Sequence, residues 1–186
     1  MAAHGIILPF RGIEPRLAPD VFLAPGACVI GDVEIGAGSS IWFQCAIRGD
    51  VNFIRIGART NIQDGTIIHV SRRDGGQTVI EDDVTIGHQV LLHACRLHTR
   101  SFVGMGATVM DDAEVETDAM LGAGSLLTSR KRVLTGQLWL GRPAIHIRDL
   151  TADEIAYNGA TAAHYSRMAA EYRAALGLQA GDTVSV

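Results

Sequence analysis

Residues 97–133 read LHTRSF-VGMGAT-VMDDAE-VETDAM-LGAGSL-LTSRKR-V, and each block opens on a large aliphatic residue. Those residues are Leu97, Val103, Val109, Val115, Leu121, Leu127 and Val133, each six after the last. The same clock runs on to Trp139 and Ile145. It also runs backward, after a slip of one, through Leu92, Ile86 and Ile80, then through Ile68, Ile62 and Ile56. A three-residue stutter separates Ile56 from the earliest series, Leu17, Leu23, Val29, Ile35, Ile41 and Ile47. Four positions after most of these stands something small or β-branched, such as Ala27, Val33, Cys45, Val51, Thr66, Val84, Ala107, Ala113 and Ser125. A period of six fits neither an α-helix nor a heptad, and the glycine and β-branched content penalises a helix. The pattern predicts short strands joined by turns, with glycine where the backbone needs positive φ. An internal repeat of this kind decides the fold before any single residue does.

The repeat resembles that of the hexapeptide-repeat family over roughly residues 17–145. The resemblance implies an all-β solenoid, a left-handed parallel β-helix with three hexads per triangular coil, in which the aliphatic and the small residue both face the interior. With 21 glycines and only 5 % aromatics, the core is built from small and branched residues, as a narrow prism requires. The solenoid is expected over 1–148, a C-terminal α-helix packed on it over 149–178, and a frayed tail over 179–186. Thr151 and Glu154 read as a capping box flanked by Leu150 and Ile155. Ile155, Ala162, Tyr165, Met168, Ala169, Tyr172 and Leu176 make an apolar face that ends at Gly177, with Gly159 expected to weaken or break the helix.

Charge and cysteines narrow the function. Sixteen Lys and Arg against 20 Asp and Glu give a formal net charge of −4, so no basic footprint for nucleic acid and no polybasic membrane anchor is present. No apolar run approaches a membrane span. Cys28, Cys45 and Cys95 are too few and too scattered for a disulfide framework, which points to a cytoplasmic protein.

The histidines sharpen the reading. His69 follows Ile68 and His93 follows Leu92, 24 residues apart, which is one coil of 18 plus a six-residue loop, Ser71-Arg72-Arg73-Asp74-Gly75-Gly76. Both then lie on one face, one coil apart, at the strand spacing of about 4.8 Å that suits two side chains converging on one ion. Arg48 falls in the same column one coil below. His88 lies on another face, with Gln63 and Asp64. In a closed three-fold ring, different faces of neighbouring subunits meet, so a neighbour's His88 completes a three-imidazole site with an open fourth position.

At Arg48-Gly49-Asp50, Asn61-Ile62-Gln63-Asp64-Gly65, His69, Ile86-Gly87-His88, Leu92-His93-Ala94-Cys95 and Gly104-Met105-Gly106-Ala107, the resemblance narrows to the gamma-class carbonic anhydrases. It implies a homotrimer with interface metal sites, His69 and His93 ligating from one chain and His88 from the next. The implied metal is Zn2+, with Fe2+ and Co2+ as alternatives. Zinc lowers the pKa of bound water to about 7, and the resulting hydroxide attacks carbon dioxide to give bicarbonate. The resemblance assigns Gln63 to orienting the hydroxide, with Asn61 beside it. Arg48 and Asp50 look like the family's subunit-linking pair at the substrate border, or equally a plain interface salt bridge. Asp64 supports Arg48 or a ligand imidazole. Tyr165 matches a tyrosine that reaches the pocket, or else packs the helix. Cys95 and Cys45 read as buried fillers. One departure stands out. Where the family's best-known active member carries acidic proton acceptors, this chain has Val51-Asn52 and a loop that is basic on balance. Acyl transfer, hydrolysis of coenzyme A thioesters and a trimeric scaffold therefore remain alongside hydration.

Overall fold

The computed structural model describes residues 5–178 and the backbone strand Val184–Ser185. It is a left-handed parallel β-solenoid of about seven turns with one C-terminal helix. Each short strand pairs in parallel with its equivalent one coil on. Val103 pairs with Leu121 and Leu121 with Trp139, so the register of 18 is read directly from the ladder.

Three faces result. The first stacks Phe22–Leu23, Ser40–Ile41, Asn61–Ile62, Thr85–Ile86, Phe102–Val103, Met120–Leu121 and Gln137–Gly141. The second carries Ile67–His69, Leu91–His93, Thr108–Val109 and Leu126–Leu127, and the third Thr78–Ile80, Arg96–Leu97, Glu114–Val115 and Arg132–Val133. Lower down, Cys28–Ile35 and Ala46–Ile56 run unbroken around the corner and join the second and third faces into one sheet. Inside the prism Ile41, Ile47, Ile62, Ile68, Ile86, Leu92, Leu97 and Leu121 are fully buried. Each such side chain contributes about 1.5–3 kcal/mol of transfer free energy, enough to hold two-residue strands that would not persist alone.

The structure corrects the expected pattern in four places. Val51, expected inside, is 40 % exposed because the stutter is a bulge, and Ile54 takes the interior position opposite Val33. The clock stops at Trp139. Residues Ala144–Asp149 fold back antiparallel on Gln137–Gly141, leaving Ile145 60 % exposed. Glycines directly after the aliphatic serve close stacking rather than positive φ: a Cβ on Gly104 would lie 2.4 Å from the backbone nitrogen of Ala123. Positive φ falls two residues later, at Gly106, and equivalent turns elsewhere accept Asp112, Asp118 and Gln44.

The fourth correction concerns the helix. The helix α1 (Ala152–Ala175) runs through Gly159 without a break, and Thr151 and Glu154 form its capping box. Gly159 sits over the Arg100 side chain. Ala162, Ala169 and, unexpectedly, Asn158 are the buried residues of α1, which lies along the first face. Phe22, Trp42, Phe43, Tyr165 and Tyr172 form the seam between helix and prism. Of the expected tail, residues 179–183 and 186 lie outside the described residues, and Val184–Ser185 pairs in parallel with Ile6–Ile7. Among the described residues no helix is long and apolar enough to cross a membrane.

Candidate metal centre

On the second face, Ile68 and Leu92 point into the prism, so alternation turns the next residue outward. His69 and His93 are Cα partners on adjacent strands, with ring centroids 5.3 Å apart. Arg48 continues the column one coil below, because Ile47 pairs with Ile68. Asp50 bridges these groups. Its Oδ2 accepts from Arg48 Nη1, and its Oδ1 lies 3.0 Å from His69 Nε2. Burial pushes the Asp50 carboxyl up, but hydrogen bonds from His69 and Arg48 outweigh it and leave the pKa below the ordinary value. On the other side, His93 Nδ1 stands 2.6 Å from Asp111 Oδ1.

The first face holds the second group. Ile62 pairs with Ile86, which sets Asp64 beside His88, and Asp64 Oδ2 is 2.9 Å from His88 Nδ1. Gln63 is 5 % exposed and donates from Nε2 to Asn61 Oδ1 at 3.1 Å, while Asn61 donates in turn to Thr85 Oγ1 at 2.9 Å. With its amide nitrogen directed at Asn61, Gln63 presents Oε1 as an acceptor. Tyr165 sits edge-on to Trp42, with ring centroids 5.6 Å apart. Burial, then the charge of Asp64, raises its phenol pKa.

The sequence-derived residues thus form two clusters on two faces: Arg48, Asp50, His69 and His93 on one, and Asn61, Gln63, Asp64 and His88 on the other, with Tyr165 on the helix that covers it. Within one chain, and among the described residues, no three His, Cys, Asp or Glu side chains converge to hold a metal ion. The donor chemistry nevertheless fits a divalent ion such as zinc. Each of the three imidazoles has a separate carboxylate oxygen within 3.0 Å, hydrogen-bonded at His69 and His93, the kind of outer partner that fixes a ligating ring. His98 does not qualify, since Glu81 and Glu114 occupy both of its nitrogens at 3.0 Å. Neither do the buried thiols, whose pKa values burial pushes up to about 11 for Cys45 and about 12 for Cys95. Asp111 escaped the sequence reading although a signal existed: it lies 18 residues, one coil, after His93.

No protein-family model matches the chain. The mitochondrial gamma carbonic anhydrase 2 of Arabidopsis thaliana is 44 % identical over 173 residues, covering 91 % of this chain and 62 % of that protein. The chain therefore spans less than two thirds of the length of this plant relative. A carbonic anhydrase of Geobacillus kaustophilus is 41 % identical over 150 residues, 81 % of each protein. Among solved structures, a hexapeptide transferase family protein from Anaplasma phagocytophilum shares 46 % identity with a TM-score of 0.86, covering 90 % of this chain and 98 % of that one. With the repeat, the solenoid and similarity over 81–91 % of this chain in agreement, the chain belongs to the gamma carbonic anhydrase family of hexapeptide-repeat proteins.

Proposed function

We propose that this protein is a carbonate dehydratase that hydrates carbon dioxide to bicarbonate at a divalent-metal site shared between copies in a homotrimer. The observation that carries the reading is the in-register pair His69 and His93, with His88 on a different face and a carboxylate on every ring. A three-fold ring brings unlike faces of successive copies together. Ile67, Leu91 and Met110, exposed beside the imidazole pair, support contact with a neighbour there. Zinc is the proposed metal, with ferrous iron and cobalt as alternatives for the same imidazole set. Free thiols at Cys28, Cys45 and Cys95 suit a reducing compartment such as the cytoplasm.

The chemistry such a cation supplies is activation of water as a nucleophile near neutral pH. The chain's own residues do the rest. Asp50 orients the His69 ring through its hydrogen bond, and Asp64 stands beside the His88 ring. Gln63 Oε1 accepts a hydrogen bond from the attacking water and aims it, and Asn61 keeps Gln63 from turning. Arg48, half-exposed and anchored by Asp50, places positive charge where the anionic product forms. Tyr165 walls the His88 side from α1. Val51 and Asn52 offer no proton acceptor, so release of the product proton falls to buffer or to Asp74 of the loop 71–76.

Metal analysis of the purified oligomer with stopped-flow carbon dioxide hydration tests the proposal. The expected result is about one metal per chain and a hydration rate that rises with buffer concentration. Gln63→Leu is expected to lower the rate and His88→Ala to lower metal content. Absence of metal, or stoichiometric metal in a monomer, would overturn the shared site. A second reading, acyl transfer or hydrolysis at a coenzyme A thioester, is favoured by the transferase family name of the solved relative. Metal without hydration but with acyl-coenzyme A turnover would establish it, and metal with neither would leave a scaffold.

A further inference from the structure

Asp111 has no part in the sequence-derived site, yet it makes the closest contact to either imidazole of the second-face pair. His93 Nδ1 lies 2.6 Å from Asp111 Oδ1. An ionised carboxylate only accepts, so the neutral ring donates from Nδ1 and keeps its lone pair on Nε2. Without that carboxylate the proton is free to sit on either nitrogen.

Asp111 has a charged neighbour at ion-pair range, beyond hydrogen-bond distance. Arg73 Nε is 4.0 Å from Asp111 Oδ2, and Arg73 Nη2 donates to Asp112 Oδ1 at 2.6 Å. Arg73 comes from the loop 71–76, which Ser71 N closes on Gly76 O at 2.7 Å and Gly76 N on Arg73 O at 3.0 Å. Asn52 Nδ2 pins that loop by donating to Ser71 O at 3.1 Å and Arg73 O at 3.2 Å. These side chains are partly exposed, and an ion pair in such a setting adds little to stability.

We propose that Asp111 is a positioning residue for His93, fixing the Nδ1–H form so that Nε2 faces the metal, and that Arg73 on the Asn52-anchored loop holds Asp111. The inference rests on the metal-site reading above. It also gives Asn52 and the basic loop, both parts of the departure from the family pattern, a shared role in aligning a ligand.

The test uses the full-length protein, metal-free and titrated with zinc against a chromophoric chelator, with the His93 tautomer read by 15N NMR of the metal-free state. Wild type is expected to show the Nδ1–H form. Asp111→Ala is expected to lose that form and bind zinc about 10–100-fold more weakly, with little change in melting temperature. Asp111→Asn keeps an acceptor oxygen, so it is expected to keep the tautomer and recover most of the affinity, which a purely structural role does not predict. Arg73→Ala is expected to fall between wild type and Asp111→Ala, and it serves as the test should Asp111→Ala fail to fold. An Nε2–H His93 in wild type, or an Asp111→Ala protein with unchanged tautomer and zinc affinity, would overturn the proposal while leaving the metal site standing. A wild-type protein that binds no zinc would overturn both.

Discussion

Gly49 separates Arg48 from Asp50, and replacing it with alanine tests whether coil spacing holds the second-face cluster together. A Cβ built on Gly49 meets Asp32 O at 2.5 Å, Asp32 C at 3.0 Å and Asn52 O at 3.2 Å, all backbone atoms. Ordinary contact begins near 3.4 Å, so about 0.9 Å of separation must be found between neighbouring coils. Ladder hydrogen bonds near 2.9 Å do not survive stretching by that amount. Losing two such rungs at about 0.5–1.5 kcal/mol each gives a destabilisation of about 1–3 kcal/mol, the ordinary range for overpacking. For a chain of this size that is a fall of about 2–12 °C in melting temperature, read by calorimetry. The strand shift also carries Asp50 away from His69, so zinc affinity is expected to fall in parallel. Gly136→Ala is the control: its Cβ meets nothing within 4 Å, and only its φ of +73° opposes the change. It is expected to lower the melting temperature without changing zinc affinity. If Gly49→Ala leaves both quantities at wild-type values, close coil stacking does not govern the Arg48–Asp50 geometry.

Glu154, hydrogen-bonded first by Arg148 and then by the Thr151 backbone, has its pKa lowered from 4.5 to about 2. A depressed carboxylate contributes stability that is complete above its unfolded pKa and lost as pH falls through the folded one. Circular dichroism at 222 nm should therefore show α1 loosening between about pH 4.5 and 2, and Glu154→Gln should remove that step; the same titration in both proteins would refute the assignment. Ala169, 2 % exposed, packs in the cluster that contains Phe22 and Trp42. Ala169→Leu is expected to cost about 1–3 kcal/mol, seen as earlier loss of helix signal on heating. Cys45 and Cys95, 1 % and 4 % exposed, should resist a thiol reagent in the native protein and react once it is denatured, and rapid native labelling of either would contradict the packing.

The solenoid was legible because its physics is repetitive. A prism this narrow admits one large aliphatic per hexad, so each position tests the same hypothesis. Column arithmetic then sets His69 against His93 and Asp64 beside His88 with a count of 18 plus the six residues of the loop 71–76. The count fails where the chain stops repeating. At Val51 the bulge in Ala46–Ile56 transfers the interior position to Ile54, and at Ile145 an antiparallel return ends the clock while the hydropathy continues. Hydropathy records which residues are apolar, and both Val51 and Ile145 are. It does not record when the backbone has left the prism.

Side-chain reach sets the second boundary. Asp111 is one coil from His93, so its neighbourhood was available to the same count, but its contact with Arg73 spans 38 residues of sequence and depends on how the loop 71–76 folds. Asn158 shows the limit from the other direction. It lies on the helix stripe with Ala162 and Ala169, yet amphipathic reading assigns a buried position to an apolar residue. The site is divided in the same way. Each backbone column is written in one chain, while the approach of His88 to the His69–His93 pair proposed above needs a surface from a second copy. That is why the reading turns on measuring metal content and oligomeric state in the same sample: a shared site requires the two to rise and fall together.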